Sequence, residues 1–253
     1  MEPETLHFTV VHTYTMVIRK HRCKSRGGNV ATQRKVRTSA RLPRGALDRE
    51  AVVAAALEIA DRDGLGGVTM ARVAEALGGS PMSLYRHLHD KQELLDAVAD
   101  LAVSEIPAIV QDGRPWRVRL EEFALEVRRC ALRHPALVEI VLATYVRGPA
   151  AASVGLDMIS LLHEAGFDED SSIRGFMALR NHIIGALAWE VSRFRGGGGE
   201  EFAREVADNF VHADTPADSP VRRLSDVVSE DLEGQYMFGI SHLLDGFEAE
   251  VQR

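Results

Sequence analysis

The stretch that most constrains the fold is residues 68–93, where two short segments with helical periodicity are separated by a glycine pair. In the first segment, four apolar residues share one face of the predicted helix: Met70, Val73, Ala74 and Leu77. Gly78-Gly79 ends this helix, and Ser80-Pro81 offers a hydroxyl cap followed by proline at the first helical position. The pattern predicts two helices joined by a tight turn, the second ending near Leu88.

The second of these helices has two different faces. Leu84 and Leu88 share the face that can pack inward, whereas Met82, Tyr85 and Arg86 share the other. Small residues at its start would let this helix approach a surface closely. The arrangement is typical of a helix-turn-helix whose second helix enters the DNA major groove. A helical hairpin within any α-bundle would show the same spacing.

The flanking segments complete a small helical domain. Residues 48–63 predict a helix that ends at Gly64, with its inner face formed by Val53, Ala56, Leu57 and Ala60. Thr69 can cap the helix that follows. Asp90 and Glu93 form a capping-box-like start for a further helix over residues 90–106, which Pro107 stops.

The rest of the chain is helical in pattern as well. Proline and glycine separate predicted helices over residues 116–133, 136–147, 151–165, 171–195, 200–211 and 232–251. The predicted fold is all-α. It comprises a basic, disordered extension (1–45), a three-helix helix-turn-helix domain with its linking helix (46–106) and a second helical domain (107–253).

Charge is distributed unevenly along the chain. The net charge is −7, yet residues 1–47 contain ten Lys and Arg against two Asp and Glu. Residues 48–91 contain five basic and seven acidic residues. DNA affinity would therefore depend on local placement of charge, helix N-termini and the avidity of a dimer rather than on bulk charge.

The N-terminal extension allows more than one interpretation. Residues 33–44 are either a solubilising tail or an arm that contacts phosphates or the minor groove. Translation starting at Met16 or further along is an alternative to an extension of this length. The basic run at residues 19–26 follows the apolar segment, the reverse of the order in a signal peptide.

Two cysteines, Cys23 and Cys130, provide no disulfide framework, and no apolar run is long enough to span a bilayer. We therefore expect a cytoplasmic protein.

The run LGGSPMSLYRHLHDKQELLDAV, with TMARVAEALG and IADRDGLGGVTM before it, resembles the DNA-binding domain of the tetracycline-repressor (TetR) family of bacterial transcription regulators. The resemblance covers residues 48–106. The segments PWRVRLEEFALEVRRCALRHP, RGP, EAGF and FGISHLLDGFEAEV are similar to the ligand-binding and dimerisation domain of tetracycline repressors. The resemblance therefore implies an N-terminal helix-turn-helix DNA-binding domain and a C-terminal helical effector-binding and dimerisation domain.

The resemblance also implies which residues contact double-stranded operator DNA: Thr69, Arg72, Ser80, Pro81, Met82, Ser83, Tyr85, Arg86, His87 and Lys91. Arg86 is the best candidate for reading a guanine edge, although it could equally bind phosphate. In tetracycline repressors an arginine reads guanine from the position that Ala71 occupies here, so we expect a different operator preference.

Tetracycline repressors hold a magnesium–tetracycline chelate with histidine ligands. Neither the end of the helix over 90–106 nor residues 138–147 contain histidine, so we expect no metal and no cofactor. Candidate effector contacts are apolar walls with a few polar groups: Leu101, Ile106, Trp116, Phe123, Val127, Val141, Tyr145, Phe176, Arg180, Asn181, His182, Trp189 and Glu190. Plain core, solvent and interface positions remain the alternatives. We expect His134 to cap a helix end rather than bind a ligand.

By the same likeness, the long helix and the final helix would pair with their two-fold mates in a four-helix bundle. Candidate interface residues are Ile184, Gly185, Ala188, Ile240, Leu243, Leu244 and Phe247. A buried core within one monomer would show the same apolar stripe.

The leading interpretation is a homodimeric transcription regulator, a repressor released from a palindromic operator by an unidentified small molecule. The alternative is a helical small-molecule-binding protein without DNA-binding function, against which the intact surface over residues 80–91 argues. An enzyme ranks third, because the sequence contains no phosphate-binding loop, zinc spacing or nucleophile motif.

Overall fold

The computed structural model describes residues 48–143, 146–196, 204–205, 208–212, 214–223 and 231–252. These contain nine α-helices and no strand: α1 Arg49–Asp63, α2 Met70–Ala76, α3 Pro81–Leu84, α4 Lys91–Ser104, α5 Trp116–Arg133, α6 Pro135–Ala143, α7 Pro149–Glu164, α8 Glu169–Gly196 and α9 Leu232–Val251. The predictions for the N-terminal extension lie outside the described residues.

Side-chain caps start the first helices, and those at Thr69 and Asp90 are as predicted. An Asp48 carboxylate oxygen accepts the Ala51 N–H at 2.8 Å, and Thr69 Oγ1 accepts the Arg72 N–H at 3.2 Å. Asp90 accepts the Glu93 N–H at 2.8 Å, while the Glu93 carboxylate reaches back to the His89 N–H at 2.7 Å. Each cap satisfies a donor that a helix N-terminus leaves unpaired.

The helix α3 is shorter than predicted. It ends at Leu84, and residues 85–87 form a turn in which the His87 and Leu88 N–H groups both bond to the Leu84 carbonyl, at 2.8 and 3.1 Å. The chain then becomes extended at Asp90, the cap of α4. Leu84 and Leu88 are nevertheless buried, as predicted.

Several helix bounds in the second half differ from the prediction. The helix α6 ends at Ala143, and residues 146–147 are not helical. Pro149 begins α7, with Gly148 as its N-cap, because proline is well tolerated at a first helical position. Both α5 and α9 have the predicted bounds, and α4 ends at Ser104, two residues early. Residues 204–205 and 208–210 are helical, within the predicted helix over 200–211.

Buried apolar residues form two clusters. The first combines α1–α4 with Cys130 and with one face of α6, formed by Ala136, Leu137 and Ile140. The second lies among α5, α7, α8 and α9. Because α6 contributes to the first cluster, packing joins the helix-turn-helix domain to the second domain across the boundary placed at residue 107. None of the described helices is long and apolar enough to cross a membrane.

Candidate DNA-binding and effector-binding sites

The outward face of α3 and the turn after it is exposed. Leu84 and Leu88 anchor this segment in the core at 0% and 1% exposure, whereas Met82 is 77% and Tyr85 48% exposed. Ser80, Pro81, Arg86 and Lys91 are exposed too, and Ser83 and His87 are half-buried. The segment therefore presents large side chains to solvent from a fixed backbone.

Two serines hold the start of α3. The Ser83 hydroxyl donates to the Ser80 carbonyl at 2.5 Å and accepts the Ser80 N–H at 3.3 Å. A Cβ added at Gly79 would lie 3.1 Å from Ser83 Oγ, so this turn leaves little space. Ser83 therefore positions the turn through contacts of its own, and a phosphate contact would have to share its hydroxyl.

Arg72, a predicted DNA contact at the start of α2, is bound within the domain. Its guanidinium pairs with Asp63 at the end of α1 and donates to the Gly67 carbonyl at 3.1 Å. Hydrogen bonds from Arg62 and from Arg72 lower the pKa of the Asp63 carboxyl. A Cβ at Gly67 would meet Asp63 Cβ at 2.7 Å, so glycine is needed there. These contacts fix α2 against α1, and any contact of Arg72 with phosphate would compete with them.

His134 ends α5, as predicted, and it also connects the two domains. Its Nδ1 lies 2.7 Å from an Asp61 oxygen on α1, and its Nε2 lies 3.1 Å from Glu105, just beyond α4. This contact with His134 lowers the pKa of Glu105. A further bond joins the Leu65 N–H to Glu139 on α6 at 3.4 Å. The helix-turn-helix domain is thus held against the C-terminal domain by polar contacts as well as by packing.

A cavity of about 460 Å³ lies among α4–α8. Six of the thirteen predicted effector residues line it: Ile106, Phe123, Val127, Val141, Phe176 and Arg180. Helix α7 was predicted as a helix but not as part of the effector site. It supplies much of the remaining wall through Ala151, Ala152, Val154, Gly155, Leu156, Met158 and Ile159. Its Gly155 packs against the Phe176 ring, which a Cβ there would meet at 3.4 Å. The lining is apolar apart from Arg180.

Six of the other predicted effector residues are described by the structure, and none of these six lines the cavity. Leu101 borders a separate cleft beside α1, and Trp116 packs against the second core cluster. Asn181 and Trp189 are exposed, and His182 lies against Gly239 with its Nε2 3.3 Å from the Tyr236 carbonyl oxygen. Tyr145 is outside the described residues.

Glu190 has a structural partner instead of a place in the cavity wall. Its carboxylate accepts two hydrogen bonds from the Arg128 guanidinium, at 2.6 and 3.0 Å, and it is 3% exposed. Arg128 also donates to Glu233 at 2.6 Å. Nearby, the Tyr236 hydroxyl donates to the Ala124 carbonyl at 2.8 Å, and burial raises the pKa of this tyrosine. This network ties α5, α8 and α9 together.

The structure divides the predicted dimer residues into two groups. Ile240 and Leu244 are 0% exposed and belong to the monomer core, Ile184 lines the cavity, Leu243 is half-buried, and Phe247 packs edge-on against Phe167 at 5.5 Å. The second group is Gly185, where a Cβ would meet no atom within 4 Å, and Ala188, which is half-buried and packs against the edge of the second core cluster.

Three exposed apolar side chains on α8 and α9 were not among the predicted dimer residues. Met177 and Trp189 on α8 are 42% and 46% exposed, and Phe238 on α9 is 66% exposed. On each helix they stand away from the stripe that packs into the monomer core. The sequence marks these residues only as apolar, and their exposure becomes apparent once the buried stripe is known.

Comparisons with known proteins give a consistent result. Residues 52–98 match the model for bacterial regulatory proteins of the tetR family, and residues 110–251 match the model for the tetracyclin repressor-like C-terminal domain. The chain is 32% identical over 226 residues to the HTH-type transcriptional repressor DrrR1 of Streptomyces coeruleorubidus, covering 85% of this chain and 82% of that protein. Identity to the class D tetracycline repressor of Escherichia coli is 26% over 208 residues, covering 81% and 91% of the two chains.

Among solved structures, the chain is similar to ActR of Streptomyces coelicolor in complex with actinorhodin. The TM-score is 0.71 at 25% identity, covering 82% of this chain and 99% of that one. Because both family models match, the second over more than half of the chain, the assignment covers the helix-turn-helix and the C-terminal domain alike. The chain belongs to the TetR family of DNA-binding transcription regulators, with a C-terminal domain of the tetracycline-repressor type.

Proposed function

We propose that this protein is a homodimeric repressor, which binds a two-fold symmetric operator through α2 and α3 and is released by a small molecule in the cavity among α4–α8. The observation that carries the proposal is the exposed face of α3. Its large side chains point outward from a segment anchored by Leu84 and Leu88, as a recognition element requires.

In this proposal, four side chains in and around the turn after α3 contact the DNA directly. Tyr85 and His87 donate to phosphates, Lys91 neutralises a phosphate at the start of α4, and Arg86 reads a base edge or a further phosphate. Thr69, Ser80, Pro81, Met82 and Ser83 bring the backbone close to the groove. Arg72 acts mainly by fixing α2 against α1.

A second copy of the chain covers the exposed apolar face of Met177, Trp189 and Phe238. Exposed apolar surface of this kind marks an interaction site, and two-fold pairing is the commonest way to bury it. Gly185 and Ala188 allow the two copies of α8 to approach closely. Pairing sets the distance between the two recognition segments and hence the spacing of the operator half-sites.

The link between cavity and DNA runs through α4. Val103 and Ile106, at the end of α4 and just beyond it, line the cavity. Asp100 on α4 accepts the Ala150 and Ala151 N–H groups at 2.9 and 3.1 Å and so caps α7, whose first turn also lines the cavity. A ligand that displaces α7 must carry α4 with it or break these bonds. Since α4 packs on α1, either event shifts the equilibrium between DNA-binding and released states.

A mobility shift on DNA from around the protein's own coding region, repeated across a salt series, tests this proposal. We expect saturable binding to one fragment, a two-fold symmetric footprint and an affinity that falls with salt. If neither this DNA nor a selection from genomic fragments yields a specific site, the alternative of a ligand-binding protein without DNA function is favoured.

We further propose that the protein acts in the cytoplasm, where its operator lies, and that it has no catalytic activity. The known members of its family are transcription regulators rather than enzymes, which supports both statements. Recovery of a chemically altered ligand after incubation with the protein would contradict the second.

A further inference from the structure

Among the described residues that line the cavity between α4 and α8, one side chain is charged. Arg180, on α8, lines it together with apolar residues, and no Asp or Glu occurs among its described lining residues. Arg180 is partly buried, and it is not hydrogen-bonded or ion-paired to any residue that the structure describes. Arg180 therefore presents a charged donor to an apolar cavity without an acceptor from the described chain, and a ligand that covers it would have to supply one, because a charge removed from water needs a partner.

Other arginines that point into the same domain show how this chain normally satisfies such a group. Arg119, whose side chain is 1% exposed, donates to Glu164 at 2.7 and 3.1 Å. Arg128 forms ion pairs with Glu190 and Glu233. Arg117 lies within 2.7 Å of Asp245 and 3.1 Å of Glu248. Each is paired with carboxylates of neighbouring helices, so Arg180 stands out as an inward arginine whose acceptor has to come from outside the described part of the chain.

We propose that the effector is an apolar molecule with one anionic group, such as a carboxylate, and that Arg180 binds this group while the rest of the molecule fills the cavity. This inference rests on the proposed effector role of the cavity. Its volume, about 460 Å³, is within the range of sites that hold drug-sized molecules. An arginine presents two parallel donors to a carboxylate, which fixes orientation as well as charge. A cationic ligand would find no carboxylate among the described lining residues.

The test uses two fluorescent probes with the same apolar body, 1-pyrenebutyrate and the neutral 1-pyrenebutanol, titrated into the full-length protein. We expect the acid to bind at least about tenfold more tightly than the alcohol, because a hydrogen-bonded ionic contact in an apolar site strengthens binding by that order. In Arg180→Gln the preference should disappear, with the affinity for the alcohol unchanged.

The matched control is Arg174→Gln. Arg174 is on the same helix but exposed, and it lies 3.9 Å from the carboxylate of Asp170. The control should keep the wild-type preference for the acid. Thermal melting of both variants establishes that they are folded, and sedimentation establishes whether their oligomeric state differs from that of the wild type.

The proposal is overturned if the acid has no advantage, if Arg180→Gln retains the advantage, or if neither probe binds. It is also overturned if the variant changes only the oligomeric state, because Arg180 would then pair with a carboxylate of a second copy. Failure of the proposed function gives a different result, since a protein that binds no operator can still show the preference for the acid.

Discussion

The helix-turn-helix surface and the effector cavity are built in opposite ways. The predicted DNA contacts all fall within residues 69–91, and hydrogen bonds between residues three or four apart hold much of their backbone. The cavity draws its wall from five helices spread between Val103 and Leu187. A recognition surface made from one local segment can be read along the sequence, whereas a cavity is specified only by how distant helices pack.

The largest expected effect is a loss of stability when long-range packing in the C-terminal domain is disrupted. Glu190→Ala leaves the Arg128 guanidinium buried with only the half-exposed Glu233 as a partner, and removing one member of a buried ion pair costs about 3–5 kcal/mol. We expect a large drop in the unfolding midpoint in urea. Glu233→Ala is the matched control, because Glu233 is exposed and the buried pair remains. Equal losses in the two variants would mean that the network does not depend on the buried pair.

The next effect concerns the local segment. Tyr85→Ala should weaken operator binding about 100-fold while leaving stability unchanged, because a dimer uses this exposed side chain twice and each contact contributes about 1–3 kcal/mol. Anisotropy titration with labelled operator measures the loss. Phe210→Ala, a change at an equally exposed aromatic residue outside the helix-turn-helix, serves as control and should bind as the wild type does. Retained binding in Tyr85→Ala would remove this residue from the DNA surface.

A smaller effect tests the connection between the two regions. Asp100→Ala removes the cap of α7, which should cost about 1 kcal/mol of stability. It should also reduce the factor by which a cavity ligand weakens operator binding, because α7 and α4 can then move separately. Asp96→Ala, one turn earlier on α4, is the control. Full ligand response in Asp100→Ala would place the coupling elsewhere.

The smallest expected effect is on the pH dependence of folding stability, through a carboxylate at the junction of the two domains. His134 lowers the folded-state pKa of Glu105, so this carboxylate stabilises the fold above its unfolded pKa, near 4.3 for glutamate, and loses that contribution as pH falls through the lower folded value. Wild type should exceed Glu105→Gln in stability at pH 7, by under about 1 kcal/mol since the pair is partly exposed. The difference should shrink as the pH falls from about 4.3 through the lower folded-state value. A difference that grows with acid would contradict this assignment.

Local signals in the sequence determined much of the helix-turn-helix. The caps at Asp48, Thr69 and Asp90, the glycine that ends α1 and the inward leucines of α3 could all be read from residues close together in the chain. The end of α3 at Leu84 could not be read in this way, because it depends on how the following turn packs Leu88 into the core.

The C-terminal domain shows what only the tertiary structure decided. Periodicity placed α5 and α9 correctly, yet it could not tell that Ile240 and Leu244 face the monomer core while Phe238 faces outward. Nor could it tell that Glu190 has a buried arginine partner and Arg180 has none in the described chain. Capping and helical periodicity depend on residues within one or two turns, and the sequence alone therefore determines them. The partner of a side chain on one helix face depends on the placement of other helices, which long-range packing determines.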